Sequence, residues 1–371
     1  MTVLVVGSGV IAVELIRKQV KIRLLSPRHP LHPSTCSVGA GGLWMPFHCD
    51  DERTDQWAFD TLDELMSYAC SVESGSVDAV DGGASKALVE IVPAISFKRN
   101  NSKAPPKWAT DRRSHILKFQ CLTIDDLYKE SLSQNFRLPG REVMDHAGYS
   151  HSWLFHPPIV DSPNMLMHMV RELESSEYTE HINLDTQKGY ANVQEIVDDA
   201  IKFGCDSLVN CTGLGSKAIC DDKSLIGARG VLLQFDRPSC EWDGQPERND
   251  SVIMVEDPPL GSDSDPCYMI PRGKIIAVGG TYLEGDEQPE IRPEEMSKIM
   301  ENARLMGINT DRSKPISQWV GFRPYRPRAR LEIDEDFRKS GVKVVHSFGY
   351  GGSGWTVFVG AAKEAVSLLS S

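Results

Sequence analysis

Several absences narrow the function of this chain before any motif is read. Positive charge is short: 40 lysines and arginines face 52 aspartates and glutamates, leaving a formal net charge of −12 over 371 residues. Phosphodiester backbones are held by basic surfaces, so no nucleic-acid partner is expected. Long hydrophobic runs are missing too. The longest, TVLVVGSGVIAVELI, is broken by Gly7, Ser8, Gly9 and Glu14 and follows no basic segment. It is expected neither to cross a membrane nor to serve as a signal peptide. The nine cysteines are odd in number and include no C-x-x-C, which speaks against a disulfide scaffold and for a reducing compartment. His29, His32, Cys36, His48 and Cys49 crowd into 21 residues, but their spacing fits no zinc pattern, and no metal is expected. No Ser/His/Asp or Cys/His constellation stands out, so nucleophilic catalysis has no visible machinery. The C-terminal SLLSS lacks an S-K-L-type signal, which favours cytoplasm over the peroxisomal alternative.

What is present is organised. A chain of this length predicts two domains. Residues 2–6, TVLVV, read as a buried strand and VIAVELIRKQ as a helix, with G-S-G between them. That is the strand, tight turn and helix that cradle a dinucleotide pyrophosphate: Gly7 for the turn, Gly9 for backbone approach, Ala12 for helix packing. The next strand, KIRLL, ends in Ser26-Pro27 where a nicotinamide enzyme places a ribose-binding acid, which weakens an NAD reading and is tolerable for a flavin. A Gly-rich loop, STCSVGAGGLWMP, follows at 34–46. Trp57, Leu62, Leu65, Met66 and Ala69 recur at helical spacing and predict one buried face. From residue 229 the pattern turns to alternating strands, RGVLLQFD, SVIMV, CYMIP and KIIAVGGTYLE, which predict an antiparallel sheet. The acidic stretch between SVIMV and CYMIP reads as a surface loop or a lid. VKVVHSF, GYGGSG and VFVGAAKEAVSLL close the chain as strand, glycine turn and helix. In GFRPYRPRARLE, residues 321–332, Pro324 and Pro327 forbid a helix, so the segment reads as a strand with Arg326, Arg328 and Arg330 on one face.

Taken in order, VVGSGVIA, VGAGGLWMPF, LVNCTGLGS, ARGVLLQFDRP, CYMIPRGKIIAVGGTYLEGD, GFRPYRPRARLE and HSFGYGGSGWTVFVGAAKEA resemble the D-amino-acid oxidase family, which includes D-aspartate oxidases. The resemblance is poor over residues 60–150. It implies an α/β fold: a Rossmann-type FAD-binding domain from 1–50, 155–225 and 328–371, and a second, α+β substrate-binding domain from 51–154 and 226–327. The second domain would be built on a large mixed or antiparallel sheet that roofs the flavin. FAD would be held noncovalently, with Gly7, Gly9, Val10, Ile11 and Ala12 at the pyrophosphate and Thr35, Gly41, Gly42 and Leu43 at the flavin ring. Thr212 would lie near the cofactor, and Gly351, Gly352, Gly354, Trp355 and Thr356 would serve its pyrimidine end. Arg330 would pair bidentately with the substrate carboxylate, Tyr268 would add its hydroxyl, and the Gly352 carbonyl would accept from the amine. Arg323, Arg326 and Arg328 are assigned to strand-edge or interdomain ion pairs.

The implied reaction is hydride transfer from Cα of a D-amino acid to flavin N5, giving a 2-oxo acid, ammonia and, from dioxygen, hydrogen peroxide. Ser264 stands where many members place a second tyrosine, Met45 where many place glutamine, and Tyr282 where D-aspartate oxidases tend to place arginine. A neutral D-amino acid is therefore the expected substrate. D-aspartate oxidase, glycine/sarcosine-type oxidase and a flavin-free binding protein are the alternatives. Relatives are often dimers, so a homodimer is expected.

Overall fold

The structure, a computed structural model, describes all residues except 8–9, 47–48, 50, 74–86, 100–103, 130–134, 245–247 and 256–265. Gly9, His48, Ser264 and the acidic lid therefore lie outside the described residues.

The described residues form sixteen strands. In chain order these are β1 (Thr2–Val6), β2 (Lys21–Leu25), β3 (Val89–Ile91), β4 (Ala94–Lys98), β5 (Gln120–Thr123), β6 (His151–Phe155), β7 (Pro158–Val160) and β8 (Thr179–Asn183). They continue with β9 (Ser207–Asn210), β10 (Ile226–Asp236), β11 (Val252–Val255), β12 (Cys267–Arg272), β13 (Ile275–Gly279), β14 (Leu283–Glu284), β15 (Ser317–Ile333) and β16 (Lys343–Tyr350). The longer helices are α1 (Val10–Arg17), α2 (Thr54–Glu73), α3 (Ser162–Ser175), α4 (Val193–Lys202), α5 (Pro293–Leu305) and α6 (Gly354–Ser370). No described helix is long and apolar enough to cross a membrane.

One sheet runs through the molecule in the order β5-β6-β4-β11-β12-β13-β10-β15-β16-β9-β1-β2-β8, with β14 added on β10. Its β16-β9-β1-β2-β8 end is parallel. Parallel strands are buried on both faces, and β1 shows why its run is wholly apolar. Val3 and Val5 face a core shared with α1 and α6, while Leu4 and Val6 face a second core under α4. The turn out of β1 admits only glycine. Gly7 sits at φ 114°, and a Cβ there would lie 2.4 Å from the Cys211 carbonyl oxygen. Helix α1 then stops after two turns because Gln19 adopts a left-handed φ of 59°, so that the amide of Val20 reaches back to the Leu15 carbonyl at 3.0 Å.

The other end of the sheet is mostly antiparallel and has one apolar face. Val231, Leu233 and Phe235 of β10 pack beneath α5, while Leu232 between them points the opposite way, into a cavity. Strand β15 joins the two ends. Its first half pairs with β10 and its second with β16, with a register shift between Tyr325 and Arg330. The domain boundary expected at 327/328 thus falls inside a continuous strand.

Helix α2 buries Trp57, Leu62 and Leu65 on the spacing read from sequence. It packs on α6, beside the dinucleotide half. A Cβ at Gly360 would come within 2.3 Å of the Trp57 backbone, and Thr61 Oγ1 accepts from the amides of Val359 and Gly360 at 3.2 Å each.

Candidate active site

A cavity of about 1420 Å³ lies between the glycine turns of the parallel sheet and the underside of the antiparallel strands. That volume exceeds what a single small metabolite fills. Gly7, Val10 and Ile11 border it at the mouth of the first turn, and Cys211 and Thr212 at the end of β9. Ser26, Pro27 and Arg28 border it at the end of β2. Ser26 Oγ is turned onto the Arg28 carbonyl at 2.6 Å, so no acid stands at that strand end. Thr35, Gly41, Gly42 and Leu43 line the middle. There Gly42, at φ 76°, brings the chain so close to β7 that a Cβ would lie 2.1 Å from the Val160 oxygen. Gly351, Gly352, Gly354 and Trp355 line it from the α6 side, and Tyr268 from β12.

Three expected site residues fall elsewhere. Ala12 is fully buried in the core behind the turn, where its small side chain lets α1 approach the sheet. Thr356 is buried and its hydroxyl is already committed. It accepts from the Met45 amide at 3.1 Å and donates to the Met45 carbonyl at 3.0 Å, so it ties α6 to the glycine loop and has no proton left for a ligand.

The largest correction concerns the arginines. Arg330 does not border the cavity. It lies beyond the β15 register shift, where Nε donates to Glu332 at 2.9 Å and Nη2 stands 3.7 Å from Asp334. Arg326 pairs with Asp222 at 3.0 Å and Arg328 with Glu52 at 3.0 Å, the ion-pair roles expected of them. Of the β15 arginines, the one that borders the cavity is Arg323. The alternation from Trp319 through Gly321 to Arg323 keeps these residues on the inward face of β15.

The roof shows how the sheet makes room. Each large inward side chain lies on a glycine of a neighbouring strand or position. The Tyr268 ring covers Gly279, where a Cβ would come within 2.2 Å of Cζ. The Arg323 guanidinium covers Gly230, where a Cβ would lie 2.2 Å from Nη1, and Trp319 covers Gly321 and Gly39. Gly279 pairs with Tyr268 on one side and Leu232 on the other, so the tyrosine is laid along the sheet toward β10. Arg323 Nη1 donates to the Thr281 carbonyl at 3.3 Å, while the Tyr268 hydroxyl lies over Gly279 and Gly280. Cation and phenol therefore converge on one three-residue segment.

Among the described lining residues the cations are Arg28, Lys98 and Arg323, and the carboxylate is Glu284. Burial pushes the Cys36 thiol up, with the Arg323 charge opposing, so Cys36 lines the cavity as a neutral thiol. Burial also raises the Tyr282 phenol, helped by Glu284 and opposed by Arg323, whose guanidinium carbon stands 5.6 Å from that ring centroid. Among the described residues no group of three His, Cys, Asp or Glu side chains could hold a metal.

Comparison with known proteins agrees with this architecture. The model of the family described as "FAD dependent oxidoreductase", DAO, matches residues 2–368. The chain belongs to the DAO family. Similar curated proteins include a D-amino-acid oxidase of Rubrobacter xylanophilus, 24% identical over 99% of this chain and 95% of the relative. Another is the human D-aspartate oxidase, 26% identical over 99% of this chain and 94% of the relative. Among solved structures, glycine oxidase from Geobacillus kaustophilus shares the fold, with a TM-score of 0.70 at 14% identity, covering 99% of this chain and 94% of that one. This DAO-family chain is thus an FAD-dependent oxidoreductase of the amino-acid oxidase type. The cavity suits that cofactor: it is large, it opens at two glycine-lined turns, and at Gly7 and Gly42 any side chain would collide with backbone.

Sequence reasoning missed Arg323, Trp319, Arg28 and Lys98. For Arg323 the usable signal was parity along the strand together with the glycine at position 230; for Arg28 and Lys98 no local pattern distinguishes them from ordinary surface cations.

Proposed function

We propose that this protein oxidatively deaminates D-amino acids, with Arg323 and Tyr268 together holding the substrate α-carboxylate. The observation that carries the reading is their convergence over residues 279–281, in a cavity with room for cofactor and substrate at once. A guanidinium presents two parallel donors to a carboxylate, which an ammonium cannot do, and the phenol adds a third. Gly352, in the turn that leads into α6, offers its carbonyl to the substrate amine. With both ends of the amino acid fixed, one Cα–H of one enantiomer faces the cofactor, and the protein's contribution is position and water exclusion. When bound, FAD supplies the hydride acceptor and passes the two electrons to dioxygen, giving hydrogen peroxide. The imino acid released then hydrolyses to the 2-oxo acid and ammonia.

Met45, Leu232, Met254 and Ile270 border the cavity near Tyr268, which supports a neutral, apolar substrate side chain. A second reading is favoured by Lys98, a buried cation on the same lining whose Nζ stands 3.8 Å from the Trp153 ring centroid. It suits a substrate with a second carboxylate. Mixing the flavin-loaded protein anaerobically with D-alanine, D-methionine and D-aspartate, with the L-isomers of these three, and with glycine decides among these. Bleaching of the visible flavin band fastest by neutral D-isomers is the expected result; bleaching fastest by D-aspartate selects the Lys98 reading, and bleaching by glycine or L-isomers alone overturns the proposal.

A further inference from the structure

Behind Thr212 lies a buried polar chain that the deamination chemistry does not use. Thr212 borders the cavity, and its amide donates to Asn210 Oδ1 at 3.2 Å, while its hydroxyl bonds the same oxygen at 2.9 Å. Ser216 Oγ reaches that oxygen at 3.3 Å and Thr212 Oγ1 at 2.8 Å. Asn210 and His346 are fully buried, and Asn210 Nδ2 lies 3.2 Å from His346 Nδ1. On the far side His346 Nε2 lies 2.8 Å from Asp334 Oδ2, to which Arg330 also extends.

Donor and acceptor roles along this chain are forced. A backbone N–H can only donate, so the Asn210 atom facing Thr212 is its oxygen and the atom facing His346 is its NH₂. That NH₂ can only donate, so His346 Nδ1 must present a lone pair. The ring proton is then on Nε2, donated to the Asp334 carboxylate.

We propose that His346 is a positioning residue for the cofactor: neutral, with its proton on Nε2, it holds the Asn210 amide in the orientation that fixes the Thr212 turn against the cavity. A second ring proton would set Nδ1–H against the Asn210 NH₂. Relief requires the amide to turn over, and its NH₂ would then face the Thr212 N–H. The turn leading into Gly213–Gly215, which also lines the cavity, would lose its anchor. The inference rests on the cavity being the flavin site.

The charged and titratable groups facing the ring come from every packed element: Arg330 and Glu332 from β15, Asp334 from the turn that follows it, and Cys220 beyond the short helix Ser216–Ile219, with Sγ 3.9 Å from Nδ1. Burial holds the ring below the ordinary histidine range, with Arg330 assisting and Asp334 and Glu332 opposing. The neutral form therefore persists at neutral pH and is lost only as pH falls through a value below the ordinary histidine range.

The test is FAD affinity. Full-length protein is freed of flavin by dialysis and titrated with FAD from pH 8 to pH 5, followed by flavin fluorescence. Wild-type Kd is expected to rise about tenfold on the acid side, the worth of one lost buried hydrogen bond. His346→Asn, whose Oδ1 replaces Nδ1 as an acceptor that does not titrate, is expected to bind as wild type at pH 8 and to lose the acid step. Asn210→Asp, whose carboxylate accepts from a protonated ring, is expected to bind FAD more tightly at pH 6 than at pH 8, and it carries the test if His346→Asn does not fold. An acid step that persists in His346→Asn, or an Asn210→Asp profile parallel to wild type, overturns the positioning role. Failure of the wild type to bind FAD at any pH overturns it together with the flavin site itself.

Discussion

Arg323 and Arg330 lie seven positions apart on one strand and differ in everything that decides function. Arg330 is ion-paired with Glu332, a carboxylate more than half exposed to water, so truncating it removes an interaction worth about 0–1 kcal/mol. Arg323 enters the cavity, and truncating it would leave a substrate carboxylate without its charged partner, at about 2–5 kcal/mol. Arg323→Ala is therefore expected to lower kcat/KM for the best D-amino acid by about 10²- to 10³-fold. Arg330→Ala is expected to leave KM for that amino acid unchanged. Arg323→Lys keeps the charge but not the paired donors and should fall between wild type and alanine. Steady-state peroxide assays on the three variants check this, and equal losses from Arg323→Ala and Arg330→Ala would remove Arg323 from its proposed role.

Between elements, glycines decide which side chains can lie flat and which helices can touch. Gly230→Ala places a methyl where Arg323 Nη1 now lies, so the guanidinium must leave its bed although the strand ladder can persist. The expected outcome is a raised KM with an unchanged far-ultraviolet circular dichroism spectrum. Gly360→Ala differs in kind, because its Cβ would meet the Trp57 backbone, and backbone cannot swing aside. Overpacking of that type costs about 1–3 kcal/mol, read as a lower thermal midpoint. These cases also show what was legible in the sequence. The β1 turn and α1 were readable because strand, glycine turn and helix are contiguous, and the buried face of α2 because its period is local. The arginine that borders the cavity was not, because four arginines share one strand, and parity singles out Arg323 only once the long-range pairing of Ala228 with Arg323 and Gly230 with Gly321 shows which face meets the roof. The placement of Arg330 is hidden for a similar reason: the register shift that precedes it follows from how β16 pairs, which the segment itself does not encode.

Across the whole molecule, a chain carrying twelve excess negative charges depends on its carboxylates remaining ionised where arginines have been buried against them. The clearest case joins α5 to the antiparallel sheet. Arg229 on β10 is fully buried, and its Nη2 donates to Glu295 at 3.0 Å and to the Glu290 carbonyl at 2.6 Å. Burial alone would push the Glu295 carboxyl up, but the bonds from Arg229 and from the Arg292 amide outweigh it and hold the group below the usual range. Asp51 behaves alike: burial raises it, and the hydrogen bonds from Arg53 bring it below its ordinary value. A carboxyl depressed on folding binds its proton more weakly in the native state. Its stabilisation is complete above the unfolded value near 4.3 for Glu and 3.9 for Asp, and is lost as pH falls through the lower native value. The thermal midpoint should therefore decline gently once pH drops below about 6.5, where the unfolded chain takes up the proton that buried His346 refuses, and steeply below pH 4 as these carboxyls protonate. Glu295→Gln removes the charge but keeps an acceptor beside a guanidinium that cannot deprotonate, leaving a buried cation unpaired at about 3–5 kcal/mol. That variant should begin from a lower midpoint at pH 7 and lose less of it on acidification, because one of the groups that wild type must protonate is already neutral. Calorimetric midpoints of both proteins from pH 7 to pH 3 measure the two slopes, and parallel curves would mean that the acid sensitivity resides elsewhere.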